Sequence, residues 1–85
     1  MKTDKRFLVV SANSDDTDIL LEFTSKTREE AEKYLKDAVI HLLIQFVENG
    51  YGESEDDFEY GIEKNDGWAS DGSTTYYYKI LSLNI

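Results

Sequence analysis

The longest periodic pattern of apolar residues lies between Thr27 and Gly50 and predicts one long α-helix. Apolar side chains recur there every three or four residues, which is the spacing of one helical face. Thr27 and Glu30 have the spacing of a capping box, and Asn49 with Gly50 is a typical helix stop. We therefore expect a helix over about residues 27–49. Its predicted core face comprises Ala31, Leu35, Ala38, Leu42 and Phe46, with Tyr34, Val39 and Leu43 on the flanks.

A second apolar stripe runs along the C-terminal half of the same helix, nearly opposite the core face. It consists of Ile40, Ile44 and Val47, with Leu43 beside them. A helix that covers a single sheet needs only one apolar face, so this stripe requires a second cover. Three interpretations remain open: the following loop folds over it, the residues are simply exposed, or the stripe forms a contact between chains. The last of these predicts, most simply, a two-fold dimer.

Strand patterns flank the helix on both sides. Before it, residues 6–12 are apolar on both faces, and residues 18–24 alternate apolar and polar side chains after the turn formers at 13–17. These two segments predict a β-hairpin. After the helix, residues 58–63 alternate again, and residues 74–83 are rich in Tyr, a residue typical of strands.

The segment between the last two predicted strands contains two turn signals, at residues 65–67 and 71–73. Two interpretations of it are open. Either residues 65–73 form one long hairpin loop with Trp68 near its tip, or a short extension pairs around Trp68.

The predicted order β-β-α-β-β is typical of a two-layer α+β sandwich, with the helix on one face of a four-stranded, largely antiparallel sheet. The chain length indicates a single domain over residues 1–85. The first and last strands are the most apolar, so we place them adjacent in the middle, which makes them parallel to each other. The rival order is all-antiparallel, with the first and third strands adjacent. The sheet residues expected beneath the helix are Phe7 or Leu8, Val9 or Val10, Ile19, Leu21, Phe23, Phe58, Tyr60 and Ile62.

The net charge of -9 comes from 18 acidic and 9 basic residues, and it is unevenly distributed. Residues 1–36 hold 8 acids and 7 bases, whereas residues 37–85 hold 10 acids and 2 bases. Such a surface repels nucleic acid and anionic membranes and attracts basic proteins. We therefore expect a protein partner with a basic surface, no direct nucleic-acid binding and no membrane association. The other explanation of the acidity is solubility alone.

The motifs that would indicate catalysis or a cofactor are missing from the sequence. The chain has no Cys, no Gly-rich phosphate loop, and neither H-E-x-x-H nor G-x-S-x-G. The segment starting at Asn65 does not fit an EF-hand, and the single His41, one turn after Asp37, is interpreted as a helix-surface residue. We expect no enzyme, no catalytic or metal-binding residue and no cofactor.

The expected location is the cytoplasm. The absence of Cys fits a reducing compartment, the apolar run at residues 7–10 is too short for a signal peptide, and no apolar stretch reaches the roughly 20 residues of a membrane span.

Two functions from different classes follow from these patterns. The first is an acidic binding module that occupies a basic surface of a partner, in its sharpest form as a nucleic-acid mimic of the inhibitor type found in phages and mobile elements. Its predicted patch is Glu53, Glu55, Asp56, Asp57, Glu59 and Glu63. The alternative is a homodimeric structural or assembly protein whose acidity serves only solubility.

Overall fold

The computed structural model describes residues 5–84, in which one helix packs against one face of a five-stranded antiparallel sheet. In chain order the elements are β1 (Lys5–Asn13), β2 (Leu20–Ser25), α1 (Arg28–Glu48), a 3₁₀ turn (Glu55–Asp57), β3 (Glu59–Ile62), β4 (Asp66–Ser70) and β5 (Thr75–Asn84). The strand order across the sheet is β2-β1-β5-β4-β3. The predicted class, a helix layer on an antiparallel sheet, is confirmed, but the predicted strand number is wrong.

The strand that was not among the four predicted is β4, the segment around Trp68, for which the sequence allows either a loop or a short paired extension. It pairs antiparallel with β3 on one side and with β5 on the other. This additional reversal of the chain changes the direction of the last strand. As a result β1 and β5 lie side by side in the middle, as predicted, but they are antiparallel rather than parallel, in register over nine residue pairs.

The ends of α1 follow from its capping residues. The Thr27 hydroxyl accepts a hydrogen bond from the Glu30 amide at 3.3 Å, and in turn donates to the Glu30 carboxylate at 3.0 Å. At the C-terminus Gly50 takes a positive φ of 80°, and the Tyr51 amide closes the last turn on the Phe46 carbonyl. Within residues 5–84, no helix is long and apolar enough to cross a membrane.

The helix is rotated relative to the prediction because small residues in β4 receive its side chains. A Cβ added to Gly67 would lie 2.8 Å from both the Leu35 and the Val39 side chains, so only glycine permits this approach. Ala69 continues the depression beneath Val39. The buried helix residues are therefore Ala31, Leu35, Val39, Leu43 and Phe46. Ala38 and Leu42, which were predicted to be at the centre of the core, are only half-buried.

A β-bulge explains why two predicted core residues are exposed. Val9 pairs with Phe23 and Val10 with Leu21, so Glu22 is an additional residue on β2. Beyond the bulge the alternation of side chains is inverted, and Leu21 points to the face away from the helix with 61% of its surface exposed. Ile19 precedes the strand and is 71% exposed, whereas Phe23 stacks on Tyr34 beneath the helix with ring centroids 4.6 Å apart.

Tyr60 and Ile62 were also predicted to be core residues, and they are 45% and 38% exposed. They lie on the helix-facing side of β3, as their pairing with Ala69 and Gly67 requires. However, β3 is an edge strand, and α1 packs over the strands nearer the centre of the sheet. The alternation of apolar residues therefore predicted their face correctly but not their burial.

The rotation of α1 makes a stability prediction. Leu35 is 1% exposed and Leu42 is half-buried, so truncation of the same side chain to Ala at the two positions should give different costs. We expect Leu35→Ala to lower the free energy of unfolding by about 2–5 kcal/mol and Leu42→Ala to cost clearly less. Urea denaturation of both variants measures this difference, and a larger cost at Leu42 would contradict the observed helix orientation.

Candidate functional site

One end of the molecule is assembled from three connections: residues 14–19 between β1 and β2, residues 49–58 between α1 and β3, and residues 71–74 between β4 and β5. Ten carboxylate residues lie at this end, and together we call them the acidic end. They are Asp15, Asp16, Asp18, Glu48, Glu53, Glu55, Asp56, Asp57, Glu59 and Asp71. Residues 13–19, 48–59 and 70–75 contain no Lys, Arg or His.

Direct contacts hold the three connections together. The Ser14 amide donates to the Thr75 carbonyl at 2.9 Å, and the Thr74 hydroxyl donates to the Asp15 carboxylate. On the other side, Phe46 at the end of α1 packs against Phe58 and Tyr76, with ring centroids 5.2 and 5.9 Å apart. The acidic end is therefore one surface on a common support rather than three separate loops.

Asp57 orders the longest of the three connections. Its carboxylate accepts hydrogen bonds from the Glu53 amide at 2.7 Å and from the Ser54 amide at 3.1 Å. These two hydrogen bonds lower the pKa of Asp57 below its usual value. The 3₁₀ turn from Glu55 to Asp57 is thereby closed on itself, which orders the backbone that carries Glu55 and Asp56.

Asp71 has the same role in the β4–β5 turn. Its carboxylate accepts from the Thr74 amide at 2.8 Å and from the Ser73 amide at 2.9 Å, and these hydrogen bonds lower the pKa of Asp71. In the β1–β2 connection, Asp16 accepts from the Asp18 amide at 3.1 Å. Part of the negative charge therefore shapes the loops that carry it.

The other carboxylates of the acidic end are available to a partner. Within the described range 5–84, their side chains make neither a hydrogen bond nor an ion pair with the rest of the chain. They are Asp18, Glu48, Glu53, Glu55, Asp56 and Glu59, and all six are exposed. A set of solvated carboxylates on ordered backbone is suited to bind several cationic groups at once.

The opposite end of the molecule has mixed charge. The strand and helix termini there carry Lys5, Arg6, Lys26, Arg28 and Lys64 alongside the acidic residues Glu29, Glu30, Glu32, Glu63 and Asp66. Arg28 Nη1 donates to Asn65 Oδ1 at 2.6 Å and lies 3.7 Å from Glu32 Oε1. Positive and negative groups offset one another at this end, so the charge of the protein is strongly polarised along the strands.

The structure separates the six residues of the predicted acidic patch into two locations. The structure brings Glu53, Glu55, Asp56, Asp57 and Glu59 together, but Glu63 lies at the opposite end of β3, next to the β3–β4 turn. Sequence reasoning missed Asp15, Asp16, Asp18, Glu48 and Asp71. Successive elements reverse direction, so alternate connections lie at the same end of the molecule. This rule groups residues 14–19 with 49–58, and once β4 is counted it adds residues 71–74.

The predicted apolar stripe on the helix is divided by the structure. Leu43 is 3% exposed and belongs to the core between helix and sheet, which corrects its assignment to the second stripe. Val47 packs partly against the same core cluster. Ile40 and Ile44 remain 36% and 40% exposed on the flank of α1. The stripe therefore contributes two exposed residues rather than four.

A groove of about 380 Å³ beside the helix contains the single His41. Asp37, the predicted neighbour of that histidine, accepts instead from Lys33 at 2.9 Å. Glu22, which also lines this groove, accepts from Ser11 Oγ at 3.0 Å. Burial, with a smaller contribution from the Glu22 charge, raises the pKa of Tyr78 to about 12. In the described part of the chain, no three His, Asp or Glu side chains are grouped closely enough to hold a metal ion.

The two neighbouring aspartates of the 3₁₀ turn provide a matched test of this geometry. Asp57→Ala removes the acceptor of the Glu53 and Ser54 amides, so hydrogen exchange at these amides should accelerate and the protein should lose stability at neutral pH. Asp56→Ala, which leaves those hydrogen bonds intact, should change neither. Equal effects of the two variants would contradict the role assigned to Asp57.

The lowered pKa of Asp57 also sets the pH dependence of this difference. Its contribution to stability is present above the unfolded pKa of about 3.9 and is lost as the pH falls through the lower folded value. The stability difference between wild type and Asp57→Ala should therefore be constant near neutral pH and shrink below about pH 4. Urea denaturation over this range measures it, and a difference that persists unchanged into strong acid would be contrary to expectation.

Comparisons with protein-family models, with curated proteins and with solved structures find no match to this chain.

Proposed function

We propose that this protein is a small acidic binding module that occupies a basic surface of a partner protein through its acidic end. The observation that carries the proposal is the convergence of ten carboxylates, from three connections and the element ends beside them, in segments without a single Lys or Arg. A protein that needed acidity only for solubility would gain as much from carboxylates spread over its whole surface. Concentration at one end, opposite a mixed end, favours recognition instead.

The charge density of the acidic end supports the more specific proposal that the protein mimics nucleic acid. Five strands spaced about 4.8 Å apart give a sheet roughly 20–24 Å wide. Ten carboxylates across that width correspond to about one charge per 2–2.5 Å, compared with one per ~1.7 Å along duplex DNA. A protein surface that binds phosphates through Lys and Arg would meet a comparable density of anionic oxygens here.

The order in the connections supports the same proposal. Asp57 orders the loop that carries Glu53, Glu55 and Asp56, and Asp16 accepts from the Asp18 amide, so the backbone beneath these free carboxylates is ordered before binding. Preorganisation lowers the entropy lost on association and adds specificity to what would otherwise be a diffuse attraction. The proposed role requires no catalytic residue and no cofactor. The partner class is a protein with a basic surface, and the site of action is the cytoplasm.

A pair of triple variants tests this proposal. Glu53→Gln, Glu55→Gln and Asp56→Asn together remove three free carboxylates from the acidic end. The matched control, Glu29→Gln, Glu63→Gln and Asp66→Asn, removes the same charge from the mixed end. Titration of a fluorescent ten-residue oligolysine peptide at low salt should give an affinity on the order of tenfold weaker for the first triple variant and nearly unchanged for the control.

The same proteins serve for a partner search in lysate of the native host. Proteins captured by the wild type and by the control, but lost with the acidic-end variant, are the expected partners, and their release by duplex DNA would identify the mimic form. Because screening acts beyond ~8–10 Å, capture should weaken steeply with salt. Equal weakening of both triple variants would show that only net charge matters, which would leave the solubility alternative.

A further inference from the structure

The sheet face that points away from α1 is apolar to a degree unusual for a solvated surface. Val9 and Ile80 face the helix, so their neighbours along β1 and β5 face the other way. We call this second surface the open face. Its large apolar residues are Leu8, Val10, Leu21, Trp68, Tyr77, Leu81 and Leu83. Leu21, Tyr77, Leu81 and Leu83 are each between 41% and 61% exposed.

These side chains form a continuous surface because cross-strand pairs place them next to one another. Leu8 pairs with Leu81, Val10 with Leu21, and Trp68 with Tyr77. The Trp68 indole lies over the backbone of Gly61 on β3, where an added Cβ would be 2.5 Å from the indole nitrogen. The apolar surface therefore extends across all five strands. An antiparallel sheet with one solvated face normally alternates apolar and polar residues, and this sheet does not.

The area of the open face fits a specific protein interface. About half of the strand residues point to it, and each occupies roughly 30 Å² of sheet, so the face covers about 500 Å². Two such faces in contact bury on the order of 1,000 Å², which is the size at which a specific interface becomes plausible. The exposed flank of α1 offers only Ile40 and Ile44 and is much smaller.

We propose that the open face is covered by a second copy of this chain, stacked face to face with its strands antiparallel to those of the first. The charges on the face determine this orientation. Arg6 lies at the edge of the face near the mixed end, and Glu59 lies at the acidic end. Lys79 at the middle is paired with Asp66 on the same face, so these two charges offset each other. A two-fold axis perpendicular to the strands places Arg6 of each copy over the acidic half of the other.

Parallel stacking is disfavoured by the same charges. It would bring two acidic ends, each with ten carboxylates, to the separation of packed sheets, about 10 Å. In the antiparallel arrangement the acidic ends point in opposite directions, and both remain free. The dimer is independent of the proposed binding function, since either can fail without the other, but together they would make a bivalent acidic protein.

A matched pair of substitutions tests the interface. Leu81 on the open face and Ile44 on the helix flank are 41% and 40% exposed, so a charge at either position is tolerable in the monomer. Sedimentation from micromolar to near-millimolar concentration should show a dimer for the wild type and for Ile44→Glu. The dissociation constant of Leu81→Glu should rise roughly hundredfold, because a charge would be desolvated at the centre of the interface.

The single Trp68 provides an independent readout. Its emission should shift to shorter wavelength as the wild-type protein dimerises, and this shift should be absent in Leu81→Glu.

Circular dichroism verifies that the variants fold. If Leu81→Glu does not fold, Tyr77→Lys at another exposed position of the open face replaces it. A wild type that remains monomeric at every concentration would overturn the proposal. Dissociation of the Ile44→Glu dimer would overturn it as well, whether or not Leu81→Glu also dissociates. Ile44 lies in the helix layer, on the opposite side of the sheet from the open face.

The orientation is tested by one distance. The chain contains no Cys, so Ser73→Cys in the β4–β5 turn allows a single spin label at the acidic end of each copy. Antiparallel stacking predicts a separation of roughly 30–40 Å, about the length of the central strands, and parallel stacking predicts less than ~20 Å. A measured distance in the shorter range would contradict the charge-determined orientation.

Discussion

The close approach of α1 to β4 is the contact on which the rest of the structure depends. Gly67 has no side chain to hold the helix away, so Leu35 and Val39 reach the sheet backbone there. This contact centres the helix over the strands near the middle of the sheet and fixes its rotation. The helix therefore leaves Tyr60 and Ile62 of the edge strand β3 partly exposed, and no element within residues 5–84 covers the open face.

The alternating direction of the chain converts a pattern along the sequence into an asymmetry in space. The chain passes up and down through β1, β2, α1, β3, β4 and β5, so every second connection lies at the same end. The first, third and fifth connections are acidic, whereas the opposite end combines its acidic residues with Lys5, Arg6, Lys26, Arg28 and Lys64. Antiparallel order therefore sorts the charges. Adding or removing one strand would move every later connection to the opposite end of the molecule.

The features predicted correctly from the sequence are those that depend on residues close together in the chain. The capping residues Thr27 and Gly50 give the helix its ends, and period-two alternation locates β2 and β3. The errors all arise from contacts that are distant in sequence. β4 is five residues long and lies between two turn signals, so its pairing depends on neighbours on both sides. Likewise, the bulge at Glu22 reverses the face of Leu21 without any local signal.

The acidic end shows the same division between local and distant information. The cluster at residues 53–57 is visible as a charge run, and the turn chemistry of Asp71 follows from its position before Gly72. The four-strand order already places residues 15–18 and 53–57 at one end. Asp71 joins them only in the five-strand topology, because without β4 it would lie at the other end. The sequence pattern therefore grouped five of the ten carboxylates of the acidic end and added Glu63, which lies at the other end.

Three connections form one strongly negative surface at a single end of the protein. Nuclear magnetic resonance with paired cationic and anionic nitroxide cosolutes measures this polarity, because the ratio of their relaxation effects reports the electrostatic potential near each amide proton. The most negative potentials should occur together at residues 15–18, 53–57 and 71–73, with values much closer to zero at residues 26–28 and 63–66. Strongly negative values confined to residues 53–57, or spread evenly over both ends, would contradict it.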